Sequence, residues 1–92
     1  MSGEENTIGA RATEIANSRA KEWIDQAMPM VEKTVLALAG QGLYRATVRF
    51  EESLITDENN QQMMVKRLAR ENIHGEFKEI ENGVELSLSW GK

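Results

Sequence analysis

The sequence of 92 residues contains no cysteine, and this absence excludes several kinds of site. A chain without thiols has no disulfide, no thiolate ligand for zinc and no cysteine nucleophile. Histidine and proline each occur once, and tryptophan, tyrosine and phenylalanine are also rare. With so few rings, the core has to be mainly aliphatic, with methionine filling the gaps.

The sequence also lacks a long apolar run and an excess of positive charge. No segment is long and apolar enough to predict a membrane span, and the polar, acidic N-terminus does not resemble a signal peptide. We therefore expect a cytoplasmic protein that does not bind membranes. The formal net charge of −4 argues against tight binding to phosphate backbones, so we do not expect nucleic acid as a partner.

The longest regular pattern lies between Thr7 and Ala39, where apolar residues recur every three or four positions. This spacing predicts one amphipathic helix. The residues of the stripe are Ile8, Ala12, Ile15, Ala16, Ala20, Trp23, Ile24, Ala27, Val31, Val35 and Leu38. Such a helix would be about 50 Å long, whereas a compact chain of this size is roughly 32 Å across. It should therefore be kinked or broken at Pro29, or project beyond its domain.

A strand, a second helix and a hairpin are predicted after the long helix. The predicted elements are a strand from Leu43 to Phe50, a helix from Asp57 to about Asn72, and strands from Glu76 to Glu81 and from Val84 to Trp90. His74 and Gly75 are expected to close the second helix, with His74 in a capping or solvated role. Alternation places Tyr44 with Ala46 on the buried face of the first strand.

The expected fold is therefore a two-layer α+β domain over residues 7–92, after a disordered N-terminus at residues 1–6. The order is helix, strand, helix, strand, strand, with a three-stranded, mainly antiparallel sheet packed on the helices.

The Asn82-Gly83 pair predicts the turn of the hairpin but leaves its register open. A two-residue turn would pair Phe77 with Leu88 and leave Ile80 on the far face of the sheet. A three-residue turn would pair Ile80 with Val84 and leave Phe77 on the far face. In either case one large apolar residue remains outside and is a candidate contact for a partner.

Three segments resemble the short accessory proteins that bacteriophages and prophages encode. They are Gly42 to Val48, Leu68 to Asn72, and Gly83 to Trp90, within a similarity of pattern that covers roughly residues 30–90. Such proteins often have an N-terminal helix, a strand, a helix and a hairpin that ends in Ser-Trp. Those with a known role often bind and inhibit a host protein, including proteins of host defence. The resemblance implies that kind of role and assigns no functional residue.

Enzymatic chemistry has little support in the sequence, and we expect no enzyme, no metal site and no cofactor. The single histidine follows a predicted helix, and the carboxylates show no ligand spacing. Gly40 and Gly42 follow a helix and precede a strand, which reverses the dinucleotide-binding arrangement.

The sequence therefore predicts a small non-enzymatic protein that binds other proteins as a homo-oligomer. The residues predicted for self-association are Ile8, Ala12, Ile15 and Trp23. The residues predicted to contact a partner, such as a host protein, are Arg45, Arg49 and Phe77. The alternative is a small-ligand or nucleic-acid binding module that uses Arg45 and Arg49 together with Lys66, Arg67 and Arg70.

Overall fold

The computed structural model describes residues 7–91 as two helices packed on one face of a three-stranded sheet. The elements are α1 (Ile8–Ala39), β1 (Arg45–Phe50), a 3-10 turn (Ser53–Thr56), α2 (Glu58–Arg70), β2 (His74–Ile80) and β3 (Gly83–Ser89). The predicted α+β class and element order are confirmed. The disorder predicted for residues 1–6 lies outside the described residues.

The first helix is continuous through Pro29. The predicted break at this residue is therefore wrong. Pro29 lies on an exposed side of α1, where water can bond the carbonyl of Asp25 that loses its amide donor. The 32 residues of α1 span about 48 Å. The described chain measures 54 × 30 × 20 Å, and its radius of gyration of 15.5 Å exceeds the roughly 12 Å of a compact chain. The N-terminal part of α1 therefore projects beyond the packed core.

Both helices end at a residue in the left-handed conformation. Gly42 has a φ of 84° after α1, and Asn72 has a φ of 63° after α2. In each case the amide of the next residue donates to a carbonyl five residues back: Leu43 N–H to Leu38 at 3.1 Å, and Ile73 N–H to Leu68 at 3.0 Å. The prediction that His74 and Gly75 close the second helix is therefore wrong, because Asn72 takes that conformation and His74 begins β2.

The sheet has the order β1-β3-β2, and all its pairs are antiparallel. Glu81 and Asn82 form the turn between β2 and β3, with Ile80 opposite Gly83. The turn thus falls one residue earlier than the Asn82-Gly83 signal predicts. Gly83 is part of the strand, where a side chain would collide with the carbonyl oxygen of Phe50.

Both predicted hairpin registers are wrong, although one of them predicted correctly which faces of the sheet Phe77 and Ile80 occupy. Phe77 lies opposite Leu86 rather than Leu88, and Ile80 does not pair with Val84. Because Leu86 is buried beneath the helices, Phe77 faces the same layer and packs partly buried against the core. Ile80 lies on the open face, as the two-residue turn predicted.

The core lies between the sheet and the helices. Its buried apolar residues are Ile24, Val31, Val35, Ala46, Phe50, Ile55, Met64, Leu68, Val84, Leu86 and Leu88. Trp23 packs edge-on against Phe50, with 5.1 Å between ring centroids. Ile55, in the 3-10 turn, is fully buried, although the sequence predicted only a connection there. Tyr44 was predicted to be buried and is instead 63% exposed, just before β1 begins.

The close contact at Gly83 gives a first prediction. Gly83→Ala should lower the free energy of unfolding by about 2 kcal/mol, because the new Cβ would overlap the Phe50 carbonyl oxygen. Gly9→Ala is the matched control, since a Cβ there meets no atom within 4 Å, and it should change stability by less than about 1 kcal/mol. Urea denaturation of the two variants tests this, and equal effects would contradict it.

Candidate interaction surfaces

The N-terminal arm of α1, residues 8–19, extends beyond the core. No residue of the arm is buried, and the first buried residue of α1 is Ala20. Ile8 is 83% exposed and Ile15 is 69% exposed. Ala12, between them, is also exposed, so three of the four residues predicted for self-association share one accessible surface.

The isoleucines of the arm do not continue the buried stripe of α1. At about 100° per residue, Ile8 and Ile15 point roughly 160° away from the buried face of the same helix. The single stripe predicted from the sequence is thus two stripes. Trp23, the fourth residue predicted for self-association, is half-buried against Phe50 and belongs to the core side.

An apolar groove lies at the other end of α1, with a volume of about 510 Å³. Its apolar lining consists of Met28, Val31, Val35, Leu36, Ala39, Ile73 and Trp90. Arg67, Glu32 and Glu71 also border it. No sequence pattern predicted this groove, although Leu36 is a large apolar residue outside the predicted stripe. Leu36 is 62% exposed.

The open face of the sheet is mainly polar, and neither α1 nor α2 covers it. Arg45 and Arg49 both lie on it, and Arg49 Nε forms an ion pair with Glu85 Oε2 of β3 at 3.7 Å. Arg45 makes no ion pair with a described residue and borders a shallow depression of about 670 Å³. His74 lies on the same face, and its Nε2 is 3.0 Å from Oε2 of Glu76. Phe77 is on the opposite face, so the three residues predicted for a partner do not form one surface.

The basic residues of α2 are separate from the arginines of β1. Lys66, Arg67 and Arg70 border a cavity of about 160 Å³ between the two helices, on the side of the sheet away from Arg45 and Arg49. The five basic residues of the alternative hypothesis therefore form two patches. A ligand-binding or nucleic-acid-binding role stays a prediction for either patch alone.

Within residues 7–91, no group of three or more His, Cys, Asp or Glu side chains could hold a metal ion. In the same span, no buried side-chain nitrogen or oxygen lacks a hydrogen-bond partner. Neither helix has the length and apolar character needed to cross a membrane.

One ion pair joins the two helices. Arg67 Nη1 of α2 lies 2.5 Å from Asp25 Oδ1 of α1, and Lys21 Nζ lies 3.5 Å from the other oxygen. The hydrogen bond from Arg67 lowers the pKa of Asp25 below its ordinary value of 3.8, and Lys21 acts in the same direction while desolvation opposes both. A lowered pKa means that the folded state prefers the carboxylate.

The Asp25 pair therefore makes a pH-dependent contribution to stability. The contribution is present above the ordinary carboxyl pKa of 3.8 and is lost as the pH falls through the lowered pKa of Asp25. Arg67→Met should move the Asp25 pKa upward, and Lys66→Met, one residue away, should not. Carboxyl-carbon NMR titration measures both, and an Asp25 pKa that is unchanged in Arg67→Met would contradict the assignment.

Comparison with known protein families, with curated proteins and with solved structures finds no match to this chain.

Proposed function

We propose that this chain is a non-enzymatic cytoplasmic protein that acts by protein–protein binding, and that it self-associates through the N-terminal arm. The observation that carries the proposal is the exposure of Ile8 and Ile15 on a helical segment with no buried residue. Full burial of one such side chain contributes about 1.5–3 kcal/mol. A second copy that covers the arm would gain this free energy in each subunit.

The helical state of the arm supports the same proposal. The arm extends a helix that is already packed from Ala20 onward, so it needs no nucleus of its own, but none of its residues is buried and its helicity depends on the propensity of those residues. The arm has 12 residues, and several of them, including Gly9, Thr13 and Asn17, are weak helix formers. Within the described chain, exposed hydrogen bonds support the arm. The Ala10 N–H donates to the hydroxyl of the N-cap Thr7, and the Thr13 hydroxyl donates to the Gly9 carbonyl. Packing against another chain would supply the missing stabilisation.

The resemblance to phage accessory proteins extends the proposal to a host protein as a further partner. The open face of the sheet is the surface that we assign to it, because Arg45 is exposed there without an ion pair to a described residue. Inhibition of the host protein would follow from occupying its surface and requires no catalytic group in this chain.

Sedimentation equilibrium tests self-association directly. The unmodified chain should form dimers or higher oligomers at micromolar concentration. The double substitution Ile8→Gln and Ile15→Gln should raise the dissociation constant at least 100-fold, since about 2.7 kcal/mol corresponds to that factor. Circular dichroism of the same samples should show a loss of helical signal on dissociation, because the uncovered arm frays from its N-terminal end.

The matched control for this experiment is Leu43→Gln, which removes an apolar side chain that is 47% exposed outside the arm. It should leave the oligomer unchanged. A monomer at all concentrations up to about 100 µM would contradict self-association, since that excludes a dissociation constant in the micromolar range. Equal weakening by the arm variant and by Leu43→Gln would contradict the assignment to the arm.

A further inference from the structure

The N-terminal arm and the apolar groove match in length and in chemistry. The arm covers 12 residues of α1, and the α1 side of the groove also covers 12, from Met28 to Ala39. Each is therefore about 18 Å long. The arm presents Ile8 and Ile15, two helical turns apart, and the groove presents a cavity of about 510 Å³ with mainly apolar walls.

The charges beside the two surfaces are complementary. On the helical wheel, Arg11 and Arg19 flank the isoleucines of the arm on opposite sides. Glu32 and Glu71 border the groove, one on α1 and the other just after α2, and neither makes an ion pair with a described residue. Arg19 bonds Glu22 at 3.4 Å, but that pair is exposed and weak enough to be exchanged for a new one.

A chain cannot place its own arm in its own groove. Both surfaces belong to α1, which is a single continuous helix from Ile8 to Ala39. A second copy can supply the arm if the two α1 helices run antiparallel over nearly their full length. A twofold axis near residue 22 then brings each arm against Leu36 and Glu32, which form the outer wall of the groove on the other copy, because Ile8, Ile15 and Leu36 are spaced by multiples of seven residues and follow one side of a coiled helix pair. The contact closes as a dimer.

We propose that the outer wall of the apolar groove, at Leu36 and Glu32, is the binding site for the arm of a second copy, in a twofold antiparallel dimer. This inference rests on the proposed self-association and names the surface that receives the arm. Ile8 lies beside Leu36 of the second copy, and Ile15 lies toward its Met28. Arg11 pairs with Glu32 of the second copy. The mode is that of an amphipathic helix in a groove, with anchors one heptad apart.

Disulfide crosslinking tests the register, because the chain has no cysteine of its own. We expect a mixture of Ile8→Cys and Leu36→Cys chains to form a crosslinked heterodimer under mild oxidation. Each variant alone should give less than about a tenth of that yield, since a disulfide requires Cα atoms within about 7 Å.

The outcomes of crosslinking separate this inference from the proposed function. Efficient crosslinking of Ile8→Cys to itself would place two arms side by side and would overturn the groove as the receptor, while self-association stands. A chain that sediments as a dimer but crosslinks in neither arrangement overturns the groove in the same way. A chain that is monomeric at every concentration overturns both.

Charge reversal gives a second, independent test. Arg11→Glu and Glu32→Arg should each weaken the homodimer at least tenfold, because each places like charges at both copies of the contact. An equal mixture of the two variants should recover the affinity of the unmodified chain, since every contact then joins opposite charges. Arg49→Glu, on the open face of the sheet, is the control and should have no effect. A mixture no tighter than either variant alone would overturn the Arg11–Glu32 contact.

Discussion

The structure depends on one mismatch of length: α1 is about twice as long as the sheet on which it packs. A strand of seven residues spans about 23 Å, whereas the 32 residues of α1 span about 48 Å. Burial of α1 therefore begins only at Ala20. Residues 8–19 form a helix with no buried residue, and the exposed isoleucines follow from that geometry.

Much of the fold could be predicted from the sequence because the strongest patterns are local. Apolar spacing predicted α1, and alternation predicted the strands with errors at their ends. The hairpin register could not be predicted, because Gly83 has a strand position that depends on the approach of the Phe50 carbonyl from β1. The end of α2 was predicted to within about two residues, but its closing residues were not, because Asn72 can adopt the left-handed conformation that glycine usually supplies.

The candidate surfaces were predicted less well than the fold. Periodicity groups Ile8 and Ile15 with Trp23, but three- and four-residue steps drift around a helix over several turns, and the sheet covers only one side of it. The groove could not be predicted from the sequence, because it forms only where Leu36 of α1 lies near Ile73 and Trp90, which are distant in sequence. The five basic residues of the alternative hypothesis were predicted as one binding surface, but they lie on opposite sides of the sheet and form two patches.

An antiparallel dimer would cover the arm and the groove, the two exposed apolar surfaces, with the same contact. Within the described chain no residue of the arm is buried and the groove is open, and the continuous helix α1 keeps the two apart. Because a chain of 92 residues buries a modest fraction of its surface alone, such a contact would also add to its stability. The open face of the sheet would stay accessible on both copies, so the dimer could present it twice.

Hydrogen exchange measured at several protein concentrations tests the central claim most directly, namely that the arm is a stable helix because another chain covers it. The account predicts that amides of the arm gain protection as the concentration rises, while core amides such as those of Leu68 and Leu86 do not change. Arm amides whose protection is the same at all concentrations would contradict it.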